Sequence, residues 1–223
     1  MGRGTECYSC SLKRSLVNKM LKITPYLGIL VVIVSIAGLW YPVLGYFMLL
    51  VFGTLLAISP FRGRWFCGNL CPRGSFNDFW VGKISQNKKI PHVLRSFWIR
   101  VPIFLFMMGF MGYRLLQTQG LFNQIGMIFV IMCLTTTTIA ILLGLSINPR
   151  TWCTFCPMGT LQHILGKDRY RVKLDAEKCI NCKKCDKVCP MQLDVRNSLS
   201  KRDCIKCGRC VEVCPKAALA FEN

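Results

Sequence analysis

The sequence predicts an α-helical membrane protein with four transmembrane helices, arranged as two repeated hairpins, followed by a small α+β domain rich in cysteine. Residues 23–61 contain no charged side chain, and a second pair of apolar segments follows between residues 97 and 147. A membrane helix needs about 20 apolar residues, so each of these regions can supply two helices. The α+β domain is predicted by the crowding of eight of the 15 cysteines into residues 179–214.

The cysteine-rich end contains the same motif twice. Residues 179–190 read CINCKKCDKVCP and residues 204–215 read CIKCGRCVEVCP. Each is C-x₂-C-x₂-C-x₃-C-P, the ligand run of a bacterial two-[4Fe–4S] ferredoxin, in which the fourth cysteine binds the other cluster. The motif predicts a ferredoxin domain at 166–223, with one cluster on Cys179, Cys182, Cys185 and Cys214, and the other on Cys204, Cys207, Cys210 and Cys189. A pair of zinc knuckles is the alternative, but two tandem copies ending in Cys-Pro favour iron–sulfur clusters.

The overall composition excludes two other classes of protein. The formal net charge is +19, yet no basic helix or RNA-binding motif accompanies it, so no nucleic-acid partner is expected. Fifteen cysteines could form a secreted disulfide scaffold, but cluster ligands must stay as free thiolates, which indicates a reducing compartment.

Charge divides the chain into three parts. Residues 1–22 form a basic N-terminus that also contains Cys7 and Cys10, a C-x₂-C pair without a visible partner pair. Residues 23–165 form the predicted membrane domain, with helices at about 25–40, 42–58, 97–116 and 123–147. Trp40-Tyr41-Pro42 supplies the first turn, since proline breaks a helix and aromatic residues suit the membrane interface.

The basic residues predict the orientation of the hairpins. They are frequent in the N-terminus, in the loop between the hairpins and in the C-terminal domain, and nearly absent from the two hairpin turns. The positive-inside rule therefore places both termini and the ferredoxin domain on the cytoplasmic side of the inner membrane, in a multi-pass protein.

A second, shorter repeat follows the two hairpins. Residues 64–75 read RWFCGNLCPRGS and residues 150–160 read RTWCTFCPMGT. The motifs at 67–74 and 153–159 bring two cysteine pairs to one membrane face: Cys67 with Cys71, and Cys153 with Cys156. Pro72 and Pro157 suit the first turn of a helix. Four thiols could bind a third iron–sulfur cluster or a zinc ion, act as redox dithiols, or only shape two turns.

With these motifs the chain resembles the NapH-type membrane polyferredoxins, the quinol-dehydrogenase membrane components of periplasmic nitrate reductase systems. It is similar also to the nitrous-oxide reductase regulator and the oxidase-assembly polyferredoxin. The resemblance covers roughly residues 20–220 and implies four spans, two [4Fe–4S] clusters and electron exchange with the quinone pool. The second motif is one residue shorter than the family pattern, C-x₃-C-P.

The sequence therefore predicts a membrane electron-transfer protein working between a quinol or membrane partner and a redox partner. Its basic C-terminal part suits an acidic ferredoxin or flavodoxin, or a reductase subunit. Haem is not expected, because His92 and His163 lie outside the predicted spans. Arg114, Gln117 and Gln119 form the polar cluster that could face a quinone. The alternatives are a factor that supplies or senses electrons for metalloenzyme maturation, and a subunit of a larger oxidoreductase complex.

Overall fold

A computed structural model of the chain describes residues 26–118, 120–166, 170–196 and 203–222. The basic N-terminus, with Cys7 and Cys10, lies outside these residues, as does Gln119. The helices are α1 (Tyr26–Ala37), α2 (Tyr46–Arg62), α3 (Trp65–Asn69), α4 (Pro72–Phe79), α5 (Phe97–Gln117), α6 (Phe122–Ser146), α7 (Thr151–Phe155), α8 (Pro157–Leu165), α9 (Lys184–Val188) and α10 (Arg209–Val213). The strands are β1 (Arg171–Leu174) and β2 (Leu219–Glu222), and short 3₁₀ turns occur at Pro42–Gly45, Val81–Lys83 and His92–Arg95.

Among the described residues, three helices are long and apolar enough to cross a membrane: α2 with the 3₁₀ turn that precedes it, α5 and α6. The ends of α5 and α6 lie within a few residues of the predicted ones. The first predicted span corresponds to α1, an apolar helix whose described part, Tyr26–Ala37, is shorter than the other three. Large apolar side chains on these helices, such as Leu50 and Phe106, are exposed, which suits contact with lipid.

Small residues bring the two hairpins close together. A Cβ atom at Gly45 would overlap the carbonyl oxygen of Gly126 on α6, so the chains approach here backbone to backbone. Close approach through small residues is typical of membrane helix interfaces. Two turns further into α6, the Sγ atom of Cys133 lies 3.4 Å from the Oγ atom of Ser35 on α1. The two hairpins therefore form one packed unit.

Each hairpin is followed by a pair of short helices, α3–α4 after the first and α7–α8 after the second. Pro72 and Pro157 open α4 and α8, as predicted, and Cys71 and Cys156 occupy the N-cap positions. The pairs exchange sides, because α8 packs on α2 and α5 while α4 packs on α6. This exchange brings both cysteine motifs to the same place.

The C-terminal part is small and built around a two-stranded antiparallel sheet. Strand β1 pairs with β2 in the register Arg171 opposite Glu222 and Leu174 opposite Leu219. Val172, Leu219 and Phe221 form its buried core, against which several cysteines pack. Most of its remaining chain is loop, so the positions of the cysteines depend on local backbone conformation.

Candidate functional site

Each predicted set of four cysteines lines its own cavity. We call these the outer site (Cys179, Cys182, Cys185 and Cys214), the inner site (Cys189, Cys204, Cys207 and Cys210) and the edge site (Cys67, Cys71, Cys153 and Cys156). The edge cavity has a volume of about 110 Å³. Within the described ranges, no three metal-binding side chains converge as ligands of a single ion would. The cysteines instead stand around the cavity walls, an arrangement that suits a cubane, which is bound at its separate corners.

The outer and inner sites are formed by loops with the same backbone conformation. Asn181 and Lys183 in the first run have positive φ values of 55° and 57°, and Lys206 and Gly208, at the equivalent positions of the second run, have φ values of 54° and 80°. Non-glycine residues adopt this conformation infrequently, and it is retained where the surrounding structure requires it. Each loop therefore turns back on itself between successive cysteines, which directs them to one cavity.

The edge site is joined by two arginines that cross between the repeats. Arg64 precedes the first motif, and its guanidinium donates to the carbonyl oxygen of Cys153 at 2.6 Å. Arg150 precedes the second motif and donates to the carbonyl oxygen of Cys67 at 2.9 Å. Both side chains are fully buried. The glycines at Gly74 and Gly159 leave room for these guanidiniums, since a Cβ atom at either position would touch one.

Two carboxylates form ion pairs with these arginines. Asp78 receives two hydrogen bonds from Arg150, at 2.6 and 2.9 Å, and is also paired with Arg209 of the C-terminal domain. Asp203, next to the inner cysteines, pairs with Arg100 at 2.6 Å and with Arg64 at 3.3 Å. Burial alone would raise the pKa of each carboxyl, but the neighbouring guanidiniums hold both pKa values below the usual range.

Positive charge is in excess around the edge site. Among the described residues, two carboxylates face five guanidiniums, those of Arg64, Arg73, Arg100, Arg150 and Arg209. Buried charges are costly unless they are paired. Four thiolates around a metal centre would supply the missing negative charge, whereas neutral dithiols would not. The donor set therefore fits an anionic cysteine-ligated centre.

The edge thiols are poorly placed to act as redox dithiols. Burial raises the pKa of Cys67 and Cys71, and it raises that of Cys153 to about 11. Reactive dithiols need low pKa values and access to solvent, and Cys67 is only 9% exposed. The Sγ atom of Cys67 donates to Gln162 Oε1 at 2.8 Å, and Gln162 is itself completely buried.

The edge site and the inner site are in direct contact. Cys67 packs in one apolar cluster with Met191 and Ile205, and cysteines of both sites lie against this cluster: Cys153, Cys189, Cys204 and Cys207. A Cβ atom at Gly68 would overlap the carbonyl oxygen of Ile205. Only a glycine permits this approach of the C-terminal domain to the membrane domain.

An apolar cavity of about 290 Å³ lies on the membrane side of the edge site. Its wall contains side chains from α2, α5 and α6 and reaches Cys156 and Met158. Arg73 is the charged residue in this wall, and its Nε atom donates to Thr137 Oγ1 at 3.1 Å. The cavity thus joins lipid-facing helices to a cysteine of the edge site.

Several of these residues were missed by sequence reasoning. Gln162, Asp78 and Asp203 carry no motif of their own, although continuing the alignment of the two repeats would have placed Asn77 opposite Gln162. Arg114 and Gln117, the described members of the polar cluster predicted at the far hairpin turn, line none of these cavities. There, Arg114 is exposed and Gln117 bonds to Tyr113 at 2.8 Å.

Comparison with protein families assigns iron–sulfur binding to the regions that contain these cysteines. Residues 44–91 and 125–174 both match a family described as a 4Fe-4S binding domain, and residues 171–215 match a 4Fe-4S dicluster domain. The chain is an iron–sulfur electron-transfer protein. The two matches to one family correspond to the two repeats, each with a membrane helix and a short helix pair.

Three relatives are distant. Two uncharacterised proteins of Methanocaldococcus jannaschii are 25% and 26% identical over 74% and 75% of this chain, which correspond to 67% and 76% of their own lengths. The "Putative electron transport protein YccM" of Escherichia coli K12 is 24% identical over 69% of this chain, and the match spans about half of its length (49%). No solved structure matches the chain.

Proposed function

We propose that this protein is a membrane electron conduit that connects a quinone pool, or another membrane partner, with a redox protein. In this proposal the outer and inner sites each hold one [4Fe–4S] cluster, and the edge site holds a third cysteine-ligated cluster. A cysteine-ligated [4Fe–4S] cluster accepts and releases a single electron. The proposal places the protein close to the NapH-type polyferredoxins.

The observation that carries this proposal is the contact between the edge and inner sites. Cys67 and Cys153 share one apolar cluster with Cys204 and Cys207, and Gly68 lies against the backbone of Ile205. A ferredoxin domain that the membrane helices served only as an anchor would need a linker, but no packed contact between the two cysteine sites. It is what a route for electrons between the membrane domain and the ferredoxin domain requires.

The chain's own residues prepare the edge site for an anionic centre. Arg64 and Arg150 lie buried on either side of it, each holding the backbone of the opposite cysteine motif. Because both arginines are also fixed by carboxylates, the positive charge beside the site and the positions of the cysteines are set before a centre binds. Zinc would satisfy the same charge, and the iron measurement below separates the two.

The apolar cavity supports a quinone as the membrane partner. A quinone has an apolar tail and a polar head with two carbonyl oxygens, and pockets for such ligands are apolar with a few fixed polar groups. Arg73 supplies a donor to this cavity, and Arg73 and Cys156 line both this cavity and the edge cavity. A quinone head beside Arg73 would therefore lie next to the edge site.

The proposal includes a topology. Residues 1–22 form a basic segment, 23–165 the membrane domain and 166–223 the ferredoxin domain. Both termini and the ferredoxin domain face the cytoplasm across the inner membrane, a placement that rests on the distribution of basic residues. Reduced thiols in that compartment would keep the cluster ligands available.

Anaerobic iron and sulfide analysis with EPR, on the detergent-purified full chain, tests the proposal. We expect about twelve irons in the wild type and about eight in Cys67→Ala/Cys153→Ala, since a cubane contains four irons. Cys133→Ala is the matched control, because Cys133 is a buried cysteine outside the three sites, and it should retain the wild-type iron content.

Each other result has a definite meaning. About eight irons in both the wild type and the double variant, with equivalent zinc in the wild type alone, would overturn the third cluster. A wild-type chain that binds no iron under anaerobic reconstitution would overturn the electron-conduit proposal as a whole.

A further inference from the structure

The outer site lies at the protein surface, unlike the other two. Cys182 is exposed, and the neighbouring Ile180 has 57% of its surface exposed. The inner site, in contrast, packs against the membrane domain through Ile205, and the edge site is enclosed between the repeats. A protein that exchanges electrons with this chain in solution would reach the outer site first.

Lysines surround this exposed site. Lys178, Lys183, Lys184 and Lys216 line its cavity, and Lys187 follows on the same face of α9 as Lys184. All five side chains are exposed. Lys178 is paired with Asp175 at 2.7 Å, and the nearby Asp186 accepts a hydrogen bond from the backbone N–H of Val195 at 2.8 Å and faces Arg196. The rim is therefore predominantly positive.

The centre of the same surface is apolar. Ile180 lines the outer cavity together with the cysteines and lysines, and Val213, which precedes Cys214 in the sequence, is 36% exposed. An apolar centre with a charged rim is the usual anatomy of a protein–protein interface. Lipid headgroups would be attracted by the lysines but have no use for an apolar centre at the level of the headgroups.

We infer that this surface, which we call the lysine ring (Lys178, Lys183, Lys184, Lys187 and Lys216), docks an acidic protein electron carrier such as a flavodoxin or an acidic ferredoxin. The inference rests on the proposed function, and it adds the place and the chemistry of the soluble partner. Charge complementarity speeds the encounter and fixes the orientation, while Ile180 supplies an apolar contact at the centre.

Binding of a flavodoxin to the full chain tests the inference directly. The cluster-loaded protein is placed in nanodiscs of neutral lipid, and the Kd for flavodoxin is measured at low and high ionic strength. We expect the wild-type Kd to rise at least about tenfold between roughly 10 mM and 300 mM salt, because screening shortens the Debye length. In Lys184→Glu/Lys187→Glu the Kd at low salt should rise about tenfold.

A matched control separates local from overall charge. Lys88→Glu/Lys89→Glu changes the net charge by the same amount on the loop before the 3₁₀ turn at His92–Arg95, where both side chains are exposed. Its Kd should stay within about twofold of the wild-type value at low salt. Lys183 is left unchanged, because its φ of 57° is part of the loop that shapes the outer site.

Two further measurements keep the inference open to refutation. If Lys184→Glu/Lys187→Glu loses iron, Lys184→Gln/Lys187→Gln replaces it and should weaken binding in the same direction by about threefold. Zero-length cross-linking with a carbodiimide should join flavodoxin carboxylates to peptides containing Lys184, Lys187 or Lys216.

The possible results distinguish the two proposals. Equal Kd values for the lysine-ring variants and the control, in samples with full iron content, would overturn the docking surface and leave the electron conduit intact. The same would follow if the lysine-ring variants changed the Kd for flavodoxin only in nanodiscs of anionic lipid, since the ring would then contact the membrane. Absence of iron in the wild type would count against the conduit itself.

Discussion

The two cysteine repeats each contain a crossing arginine, but the two arginines are bound by carboxylates in different parts of the chain. In each, an arginine three residues before the first cysteine crosses over and holds the carbonyl oxygen of the other repeat's cysteine. Arg150 is fixed by Asp78, which lies in the first repeat, so this ion pair joins the two repeats, and the C-terminal domain reaches it through Arg209. Arg64 is fixed by Asp203, which lies beside the inner cysteines, so its link reaches into the C-terminal domain.

The difference in spacing between the cysteines follows the same division. The first motif has one residue more, and its gap contains Gly68, which touches Ile205, and Asn69, which donates to the carbonyl oxygen of Lys206 at 3.2 Å. The gap of the second motif contains Thr154 and Phe155, which are buried inside the membrane domain. The repeats are therefore alike in the crossing arginines, where they face each other. They differ in the residues between the two cysteines, which contact the ferredoxin domain in the first repeat and the membrane domain in the second.

Removing Arg150 should have the largest effect. Arg150→Gln leaves Asp78 with Arg209 alone and breaks the hydrogen bond to the carbonyl oxygen of Cys67. Loss of one partner of a buried ion pair costs about 3 kcal/mol or more. We expect that decrease in the free energy of unfolding, measured by detergent-induced denaturation with tryptophan fluorescence.

The equivalent change in the first repeat should cost less. Arg64 contacts the Asp203 carboxylate once, at 3.3 Å, whereas Arg150 donates two bonds of 2.6 and 2.9 Å to Asp78. Because Arg64→Gln removes this longer contact and leaves Asp203 paired with Arg100 at 2.6 Å, we expect a decrease of about 1 kcal/mol. Equal decreases for the two variants would show that the repeats are energetically symmetric and that the difference between the two arginines described above has no effect on stability.

Gly68→Ala should separate the two domains without touching a charge. The added Cβ atom would overlap the carbonyl oxygen of Ile205, a backbone atom that cannot rotate away. Overpacking of this kind costs about 1–3 kcal/mol, and here it acts on the contact between the edge and inner sites. We expect faster proteolytic release of the C-terminal domain and weaker magnetic coupling between clusters in EPR.

Gly53→Ala is the control for this change, because no atom lies within 4 Å of the Cβ position in that helix. It should behave as the wild type in both measurements. Unchanged proteolysis and EPR in Gly68→Ala would mean that the domain contact does not depend on close approach at this residue.

Much of this architecture could be predicted from the sequence, and the part that could not depends on packing between distant segments. The spacing of Cys179–Cys214 predicts which cysteines share a cavity, because the loops that direct them are local. The positions of α5 and α6 follow from the distribution of apolar residues. No local pattern could show that Arg64 reaches Cys153 or that Asp203 lies between two arginines, since the partners in these contacts are separated by 89, 139 and 103 residues. The end of the first span also differs from the prediction, because the described part of α1 ends at Ala37 and not near Trp40.

The repeats also differ at the residue that follows the Cys-Pro pair, which is Arg73 in the first and Met158 in the second. Both residues line the apolar cavity, so the first repeat supplies a polar group that could bind a quinone head and the second supplies part of the apolar wall. Arg73→Met makes the repeats alike and should weaken binding of a short-chain quinone about tenfold, the loss of one charged hydrogen bond. Met158→Leu should change the affinity by less than about twofold, as volume-conserving apolar exchanges do. Equal affinity in Arg73→Met, measured by fluorescence quenching, would exclude the cavity as a quinone site.

The smallest effect should come from replacing Gln162 of the second repeat, which we expect to shift the midpoint potential of the edge cluster. Gln162 is buried, and its Nε2 atom has no hydrogen-bond partner in the part of the chain that the structure describes, while its Oε1 atom accepts from the thiol of Cys67. Once Cys67 is a thiolate it can only accept, so rotation of the amide by half a turn would bring Nε2–H to the sulfur. Donors to a ligand sulfur stabilise the more negative, reduced state, so Gln162→Leu should lower the midpoint potential of one cluster and leave the other two unchanged. A redox titration followed by EPR measures this shift. Gln162→Glu provides the counter-test, because it keeps the volume but places an additional negative charge beside the sulfur and should lower the same potential further.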